Sequence, residues 1–139
     1  MNYLAKFFLL LVFIKLVSCE RSDDAPVSEV WQGNEESFEN EFTYQLDVVD
    51  DSTVLTHKIS DELYSGVVEI NQSGRITEQN YSLGRLDGKS VKKSPDGSWV
   101  EAHYVEGKLE GPMIFYDRSG KIRSTLNYSK GRLQPNKVR

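Results

Sequence analysis

The chain contains a single cysteine and only two histidines among its 139 residues. One cysteine cannot form an intrachain disulfide, and one cysteine with two distant histidines does not supply the usual four ligands of a zinc site. An excess of basic residues is also lacking, because 17 lysines and arginines face 21 acidic residues and leave a net charge of −4. This balance argues against nucleic acid as a partner. The length accommodates one small domain with short appendages and excludes a two-domain enzyme.

Motifs for catalysis are missing as well. His57 and His103 have no neighbouring cysteine or serine motif that would form a triad or a metal clamp, and we expect both at solvent-exposed strand positions. The stretch Gly84–Ser90 ends in Gly-Lys-Ser but has neither the glycine spacing nor the following helix of a phosphate-binding loop. We therefore predict a protein that is not an enzyme, with no catalytic residue, no cofactor and no metal.

The segment Met1–Ser18 is typical of a secretory signal peptide, with Lys6 before the apolar run Phe7–Ile14. This run is too short to span a membrane. The segment ends in Leu16-Val17-Ser18-Cys19, which resembles the lipobox of bacterial lipoproteins. The resemblance implies that Cys19 becomes the first residue and carries a diacylglyceryl group, commonly with a further acyl chain such as palmitate. Because one chain binds membranes only marginally, two or three chains make a stable anchor. We expect a lipid-anchored protein of the bacterial cell envelope, periplasmic or surface-exposed.

Residues 19–41 are acidic and poor in aliphatic side chains, which predicts a flexible tether. Two of its residues, Trp31 and Phe38, do not fit this description. We expect them to pack against the following domain, and the alternative is that they are exposed anchors for a partner. Charge is split along the chain, with 13 acids and two bases in residues 20–62 but eight acids and 13 bases in residues 63–139. Such a tether could fold back over the basic part or stay extended by self-repulsion.

Residues 42–62 predict a β-hairpin that serves as a cap or a degenerate repeat. Apolar residues alternate with polar ones from Phe42 to Val48, Asp50-Asp51-Ser52 favours a turn, and Thr53–Ile59 is rich in β-branched residues.

A repeat of about 23 residues fills positions 63–133, followed by a short tail over 134–139. Nine of the ten glycines recur in three phases at a nearly constant interval. They are Gly66, Gly88 and Gly111; Gly74, Gly97 and Gly120; and Gly84, Gly107 and Gly131. A fixed period of this length indicates stacked supersecondary units. Each unit consists of a strand, a turn, a second strand and a second turn, and the turn glycines supply the positive φ that a Cβ disfavours.

The order of aromatic, Asp/Ser-Gly, Lys/Arg-Leu/Ile, Tyr, Gly-Lys/Arg-Leu and Asp/Glu-Gly in these units resembles the bacterial variant of the MORN repeat, as in the YwqK family of antitoxin-component-like proteins. The resemblance implies an all-β fold, a single-layer, elongated antiparallel sheet of stacked β-hairpins. It also implies antitoxin-like or immunity-like behaviour toward a toxin-like protein.

The third repeat departs from the pattern, because Tyr128 lies eight positions after Gly120 whereas Tyr81 lies seven after Gly74. Side chains alternate between the two faces of a strand, so one extra residue reverses the faces. We predict a β-bulge in one class of repeat, or tyrosines on opposite faces.

Large side chains of a one-layer sheet have few places to be buried. We therefore expect Trp99, Tyr81, Tyr104 and Tyr128 to stack between neighbouring hairpins rather than to contact a ligand. The basic residues of the repeats form either a positive strip for lipid headgroups or an acidic protein, or a dispersed surface. The candidate partner-binding residues are Trp31, Phe38, Lys92, Lys93 and Phe115. These features favour a lipid-anchored, non-catalytic protein-interaction module that binds an envelope or toxin-like protein. The alternative is a structural envelope protein that binds lipid headgroups or cell-wall polymer.

Overall fold

A computed structural model describes residues 29–49 and 52–135 of the chain. These residues form eleven strands and one short helix, which confirms the all-β fold. In chain order the elements are β1 Glu29–Gly33, α1 Glu35–Glu41, β2 Phe42–Asp47, β3 Ser52–His57, β4 Gly66–Gln72, β5 Arg75–Ser82, β6 Arg85–Lys93, β7 Trp99–Val105, β8 Lys108–Leu109, β9 Gly111–Tyr116, β10 Ile122–Ser129 and β11 Arg132–Gln134.

Most strands belong to one long sheet with the order β1-β4-β5-β6-β7-β9-β10-β11, in which β8 also pairs with β7. From β4 onward all pairs are antiparallel and each strand lies beside its neighbour in sequence, as stacked hairpins require. One pair departs from the purely antiparallel expectation, because β1 runs parallel to β4. The remaining strands, β2 and β3, form a separate antiparallel hairpin.

Tight turns with positive φ connect the repeats along one side of the sheet. In the turn Leu83-Gly84 the φ angles are 48° and 77°, and the equivalent turn Glu106-Gly107 has 48° and 79°. Two consecutive positive φ angles define a type I′ turn, whose twist matches that of the strands it joins. This geometry explains why a glycine recurs at the second turn position in every repeat.

A bulge in β10 absorbs the extra residue of the third repeat. Ile122 lies opposite Tyr116 while Ser124 lies opposite Phe115, so Arg123 is the inserted residue. The bulge restores the alternation, and Tyr128 then lies opposite Gly111 in the same way that Tyr104 lies opposite Gly88 and Tyr81 opposite Gly66. The predicted bulge is confirmed in the third repeat, and a second register shift lies between Gln79 and Tyr81, where β5 pairs with β6.

The hydrophobic core lies at the N-terminal end of the sheet, where α1 and the β2–β3 hairpin pack on one face. Its buried members are Phe38, Phe42, Leu55, Tyr64, Val68 and Tyr81. Phe42 contacts Phe38 and Tyr64 with ring centroids 5.2 and 5.0 Å apart. Each fully buried apolar side chain of this size contributes roughly 1.5–3 kcal/mol. Helix and hairpin therefore give this end of the sheet the second layer that hairpin repeats alone lack.

The sequence predicted a flexible tether that includes residues 29–41. This prediction is wrong for these residues, because they form β1 and α1. Asn34 caps the helix by accepting a 2.8 Å hydrogen bond from the Ser37 backbone N–H, and two glutamates occupy the first turn, where the helix dipole favours them. Phe38 is buried, and its ring meets that of Trp31 at 5.6 Å. In this segment the free energy gained by burying aromatic rings outweighs the tendency of an acidic composition to keep the chain disordered. The predicted signal peptide, Cys19, the tether up to Ser28, Asp50, Asp51 and residues 136–139 lie outside the described residues.

A matched pair of glycine substitutions tests how the hairpin rests on the sheet. A Cβ at Gly84 would lie 2.9 Å from the Leu55 carbonyl oxygen and 3.0 Å from Val54 Cβ, whereas a Cβ at Gly107 has nothing within 4 Å. Both residues have the same backbone conformation, so both alanine variants carry the same strain, about 1–2 kcal/mol. We expect Gly84→Ala to cost a further ~1–3 kcal/mol through the clash. Thermal unfolding followed by circular dichroism should show a Tm several degrees lower for Gly84→Ala than for Gly107→Ala. Equal Tm values would contradict docking of the hairpin on this turn.

Candidate functional site

The long sheet has one face rich in apolar side chains, which the strand register defines. Directly opposed residues share a face, and Lys92, Val100, Phe115 and Ser124 form one such row across β6, β7, β9 and β10. A parallel row on the same face passes through Gln79, Ser90 and Ala102. The face also includes Trp31, Val68, Ile70, Tyr81, Tyr104, Met113, Leu126 and Tyr128. We call it the tyrosine face.

Over β4 and β5 the tyrosine face is covered. The Tyr44 and Tyr81 hydroxyl groups are 3.0 Å apart and share a hydrogen bond, and the Leu55 N–H donates to the Gly84 carbonyl at 2.8 Å. Burial is the main cause of a raised pKa at the Tyr81 hydroxyl, and the hydrogen bond from Tyr44 raises it further. Tyr81 is therefore a neutral, packed residue. It is held inside the molecule by its contact with the hairpin.

Over β7, β9 and β10 the same face is open. Among the described residues, α1 and the hairpin contact β4 and β6 and make no extensive contact with these three strands. The open part carries six half-buried side chains, which we call the open tyrosine face: Val100, Tyr104, Met113, Phe115, Leu126 and Tyr128. Ala102 lies between them with 9% of its surface exposed. Large exposed apolar surfaces often mark interaction sites, so the open tyrosine face is the candidate site.

The turns beside this surface repeat the geometry that receives the hairpin. The N–H groups of Gly84, Gly107 and Gly131 donate to the carbonyls of Tyr64, Leu86 and Leu109 at 2.7, 2.8 and 2.8 Å. The N–H groups of the preceding residues, Leu83, Glu106 and Lys130, donate to the side chains of Ser65, Asp87 and Glu110. Only the Gly84 carbonyl accepts a backbone hydrogen bond, from Leu55; no described residue makes this bond to Gly107 or Gly131. The turn that contacts the hairpin at Gly84 is thus repeated at Gly107 and Gly131, but no described segment packs on these two turns in the same way.

The structure separates the five candidate partner-binding residues. Lys92 and Phe115 share one row of the tyrosine face, where Lys92 is exposed and Phe115 is half-buried. Lys93 lies opposite Trp99 and therefore on the other face. Trp31 and Phe38 pack against the core, as the first of their two interpretations expects, with Phe38 buried and Trp31 partly buried. The assignment of Phe38 as a partner-binding residue is therefore wrong.

Sequence reasoning missed Tyr104, Met113, Leu126 and Tyr128 as members of the candidate site. It treated the tyrosines as packing residues and did not consider the other two. The glycine period could have revealed them, because each repeat tyrosine lies opposite one of the periodic glycines. Every second residue of the strand, counted from the tyrosine, then lies on the same face, which gives Leu126 and Ala102.

Trp99 lies on the opposite face and stacks on Tyr116 of the neighbouring strand, with centroids 4.7 Å apart and planes 12° from parallel. Its indole N–H donates to Glu101 Oε1 at 3.2 Å. On the tyrosine face, Tyr64 and Tyr81 form an edge contact with centroids 6.2 Å apart. The stack of Trp99 on Tyr116 is the contact between neighbouring hairpins that the sequence predicted for Trp99, whereas Tyr81 makes an edge contact instead of a stack.

Two loop carboxylates, Asp96 and Asp117, organise the turns at the other side of the sheet. Asp117 accepts hydrogen bonds from the Ser119 hydroxyl at 2.6 Å and from the N–H groups of Ser119 and Lys121. The hydrogen bond from the Ser119 side chain is the largest cause of the lowered pKa of Asp117, and Ser98 acts in the same way on Asp96. Both carboxylates are ionised and engaged by their own loops. An open groove of about 850 Å³ lies between the two loops.

The histidines stand apart from any ligand cluster. His57 is half-buried, with its ring 4.7 Å from Phe42 and 5.5 Å from Tyr64, which corrects the expectation of a solvent-exposed position. His103 is exposed. Within residues 29–49 and 52–135 there is no group of three or more histidine, cysteine or acidic side chains that could hold a metal ion. The same residues include no helix long and apolar enough to cross a membrane.

Comparison of the chain with protein-family models, with curated proteins and with solved structures finds no match. The site must therefore be interpreted from its own geometry.

Removal of the Trp99 ring tests the structural role of the stack. Trp99→Ala should lower the free energy of unfolding by about 1–3 kcal/mol, because a half-buried indole loses part of the roughly 3–5 kcal/mol typical of a core aromatic. The Tm should fall by several degrees in a calorimetric scan. Trp99→Phe retains a ring to stack on Tyr116 and should lose less. An unchanged Tm for Trp99→Ala would contradict the structural role.

Proposed function

We propose that the protein is a lipid-anchored, non-catalytic protein-interaction module of the bacterial cell envelope, and that its partner binds the open tyrosine face. The proposal rests on one observation, which is that the tyrosine face is covered over one part of the sheet and open over another. The same face that is closed by helix and hairpin over β4 and β5 is open over β7, β9 and β10. Aromatic side chains that are held rigidly by a sheet are the residues that dominate binding energy at protein interfaces.

The charge of the chain indicates the chemistry of the partner. The segment that covers the first part of the face, residues 29–62, has ten acidic residues and one lysine, whereas residues 85–135 have ten bases and six acids. An ion pair between the two parts already exists, since Arg85 meets Asp47 at 2.6 Å. The strand register places Lys92 on the open part and Lys89, Lys93, Lys108 and Arg132 on the other face. A partner suited to the open part therefore exposes aromatic or aliphatic side chains, with an acidic group that meets Lys92. Complementary charge of this kind accelerates association and selects between partners.

The anchor and the class of partner follow from the two resemblances in the sequence. The lipobox-like Leu16-Val17-Ser18-Cys19 supports acylation of Cys19, which would hold the module at a membrane. The likeness of the repeats to the YwqK family supports antitoxin-like or immunity-like binding of a toxin-like protein. A rigid sheet with an exposed aromatic surface is suited to block such a protein by occupying its surface.

A pair of substitutions on opposite faces tests the binding surface. Phe115→Asp places a charge in the open tyrosine face, and Ile122→Asp places the same charge on the other face at a residue that is 54% exposed. Acylated protein captured from detergent extracts should retain a stoichiometric protein partner in the wild-type and Ile122→Asp forms. Phe115→Asp should reduce retention at least tenfold, because a buried unpaired charge costs several kcal/mol. Equal retention by both variants would contradict the assigned face. Recovery of lipid or glycan alone would favour the structural envelope role instead.

Metabolic labelling with a fatty-acid probe tests the anchor. The wild-type chain should be labelled and sediment with membranes, and Cys19→Ala should lose both properties because the only thiol of the chain is removed. Cys19→Ala that is still labelled would contradict lipidation at this residue.

A further inference from the structure

We propose that copies of this chain associate head to tail through their sheet edges, with the β1 edge of one copy adding as a strand to the β10 edge of the next. This self-association does not depend on the partner of the open tyrosine face. The proposal rests on a strand position that no described residue occupies at one end of the sheet, on the strand directions at both ends, and on opposite charges there.

This strand position lies beside the first half of β10. On one side β10 pairs with β9 over its whole length, but on the other side β11 pairs only with Asn127, Tyr128 and Ser129. In the described chain the backbone from Ile122 to Leu126 therefore lacks a second neighbour. Such an edge presents unpaired N–H and C=O groups that accept another strand.

At Pro135 the last repeat departs from the preceding ones. This proline follows Gln134 at the point where Gly88 and Gly111 stand in the preceding repeats, one repeat length after Gly111. Those glycines have φ angles of 101° and 80°. The proline ring fixes φ at about −65°. The backbone therefore cannot make the bend that directs β6 and β9 along their neighbours.

Strand direction at the other end suits this strand position. β1 has five residues and pairs with β4 alone among the described strands, so its outer edge is free. It runs parallel to β4, and β4, β6 and β9 share one direction while β5, β7 and β10 share the opposite one. A second copy placed by continuing the sheet brings its β1 beside β10 in the antiparallel sense. The alternation of the array is then preserved across the junction.

The charges of the two ends are complementary. The β10 end carries a group of basic residues, Arg118, Lys121, Arg123, Lys130 and Arg132, against two acids. Asp117 pairs with Arg123 at 3.7 Å, and Glu110 accepts a hydrogen bond from the Lys130 backbone N–H. The β1 end carries the acidic residues Glu29, Glu35, Glu36, Glu39 and Glu41. Like charges oppose the pairing of two β10 edges, so a symmetric dimer through this edge is disfavoured. The charges instead select the heterologous, open-ended contact.

Disulfide trapping between two single-cysteine chains tests the proposal. Both chains are full-length, carry Cys19→Ser, and are purified in mild detergent. One carries Val30→Cys in β1, where the native side chain is 58% exposed, and the other carries Thr125→Cys in β10. These positions lie on the same face of the continued sheet. Under mild oxidation at low salt, the mixed disulfide should exceed the two homodisulfides together by at least fivefold.

Controls separate the contact from random collision. Random encounter yields mixed and like disulfides in equal total amounts, and this result would overturn the proposal, as would a dominant Thr125→Cys homodimer or no disulfide at all. Lys121→Glu with Arg132→Glu in the β10 chain should reduce the mixed disulfide at least fivefold, provided that circular dichroism shows the same fold. Glu29→Lys with Glu35→Lys in the β1 chain should then restore it. Failure of this restoration would also overturn the charge-selected contact.

Discussion

The arrangement depends on backbone reversals with positive φ at a fixed interval in the chain. Each type I′ turn joins two strands with only two residues, so the strands cannot slip against one another without moving the turn. Because the turns recur once in every repeat, the strands they join fall into common rows. The tyrosines opposite Gly66, Gly88 and Gly111 share one face for this reason. A single inserted residue would break the alignment, and the bulge at Arg123 is the means by which the third repeat keeps it.

A sheet of one layer exposes both faces unless another element covers them. A second requirement of the fold is therefore a cover for its apolar side chains. The chain satisfies this requirement over only part of its length. Trp31, Phe38 and Phe42 bring an aromatic layer onto β4, and Leu55 extends it to the first type I′ turn. Further along the sheet, the stack of Trp99 on Tyr116 stabilises the sheet through a contact between two of its own strands. The difference in cover thus separates a part that is stabilised by a core from a part that is stabilised by cross-strand contacts.

The sequence predicted the features that local chemistry determines. Glycine spacing and strand alternation indicated the hairpins, and the odd spacing of Tyr128 indicated a bulge, because turn type and side-chain period act over a few residues. The sequence did not predict β1 and α1, because acidic composition in residues 19–41 favours a disordered interpretation and the burial of Phe38 depends on Phe42, Tyr64 and Val68 from other elements. Alternation along the strand puts Lys92 and Lys93 on opposite faces, but only the register shows that Lys92 is the one on the tyrosine face.

The position of the acidic segment on the tyrosine face gives a structural interpretation of the split in charge along the chain. If the acidic segment were only a solvated tether, its charge would act by repulsion and extend the chain. Instead, residues 29–49 and 52–62 lie folded on the beginning of the basic array, and Asp47 pairs with Arg85 there. The intramolecular contact shows that an aromatic surface fits the tyrosine face over β4 and β5. The repeats reproduce the same turns and the same row of tyrosines farther along, and it is this uncovered part of the face that we propose as the binding surface.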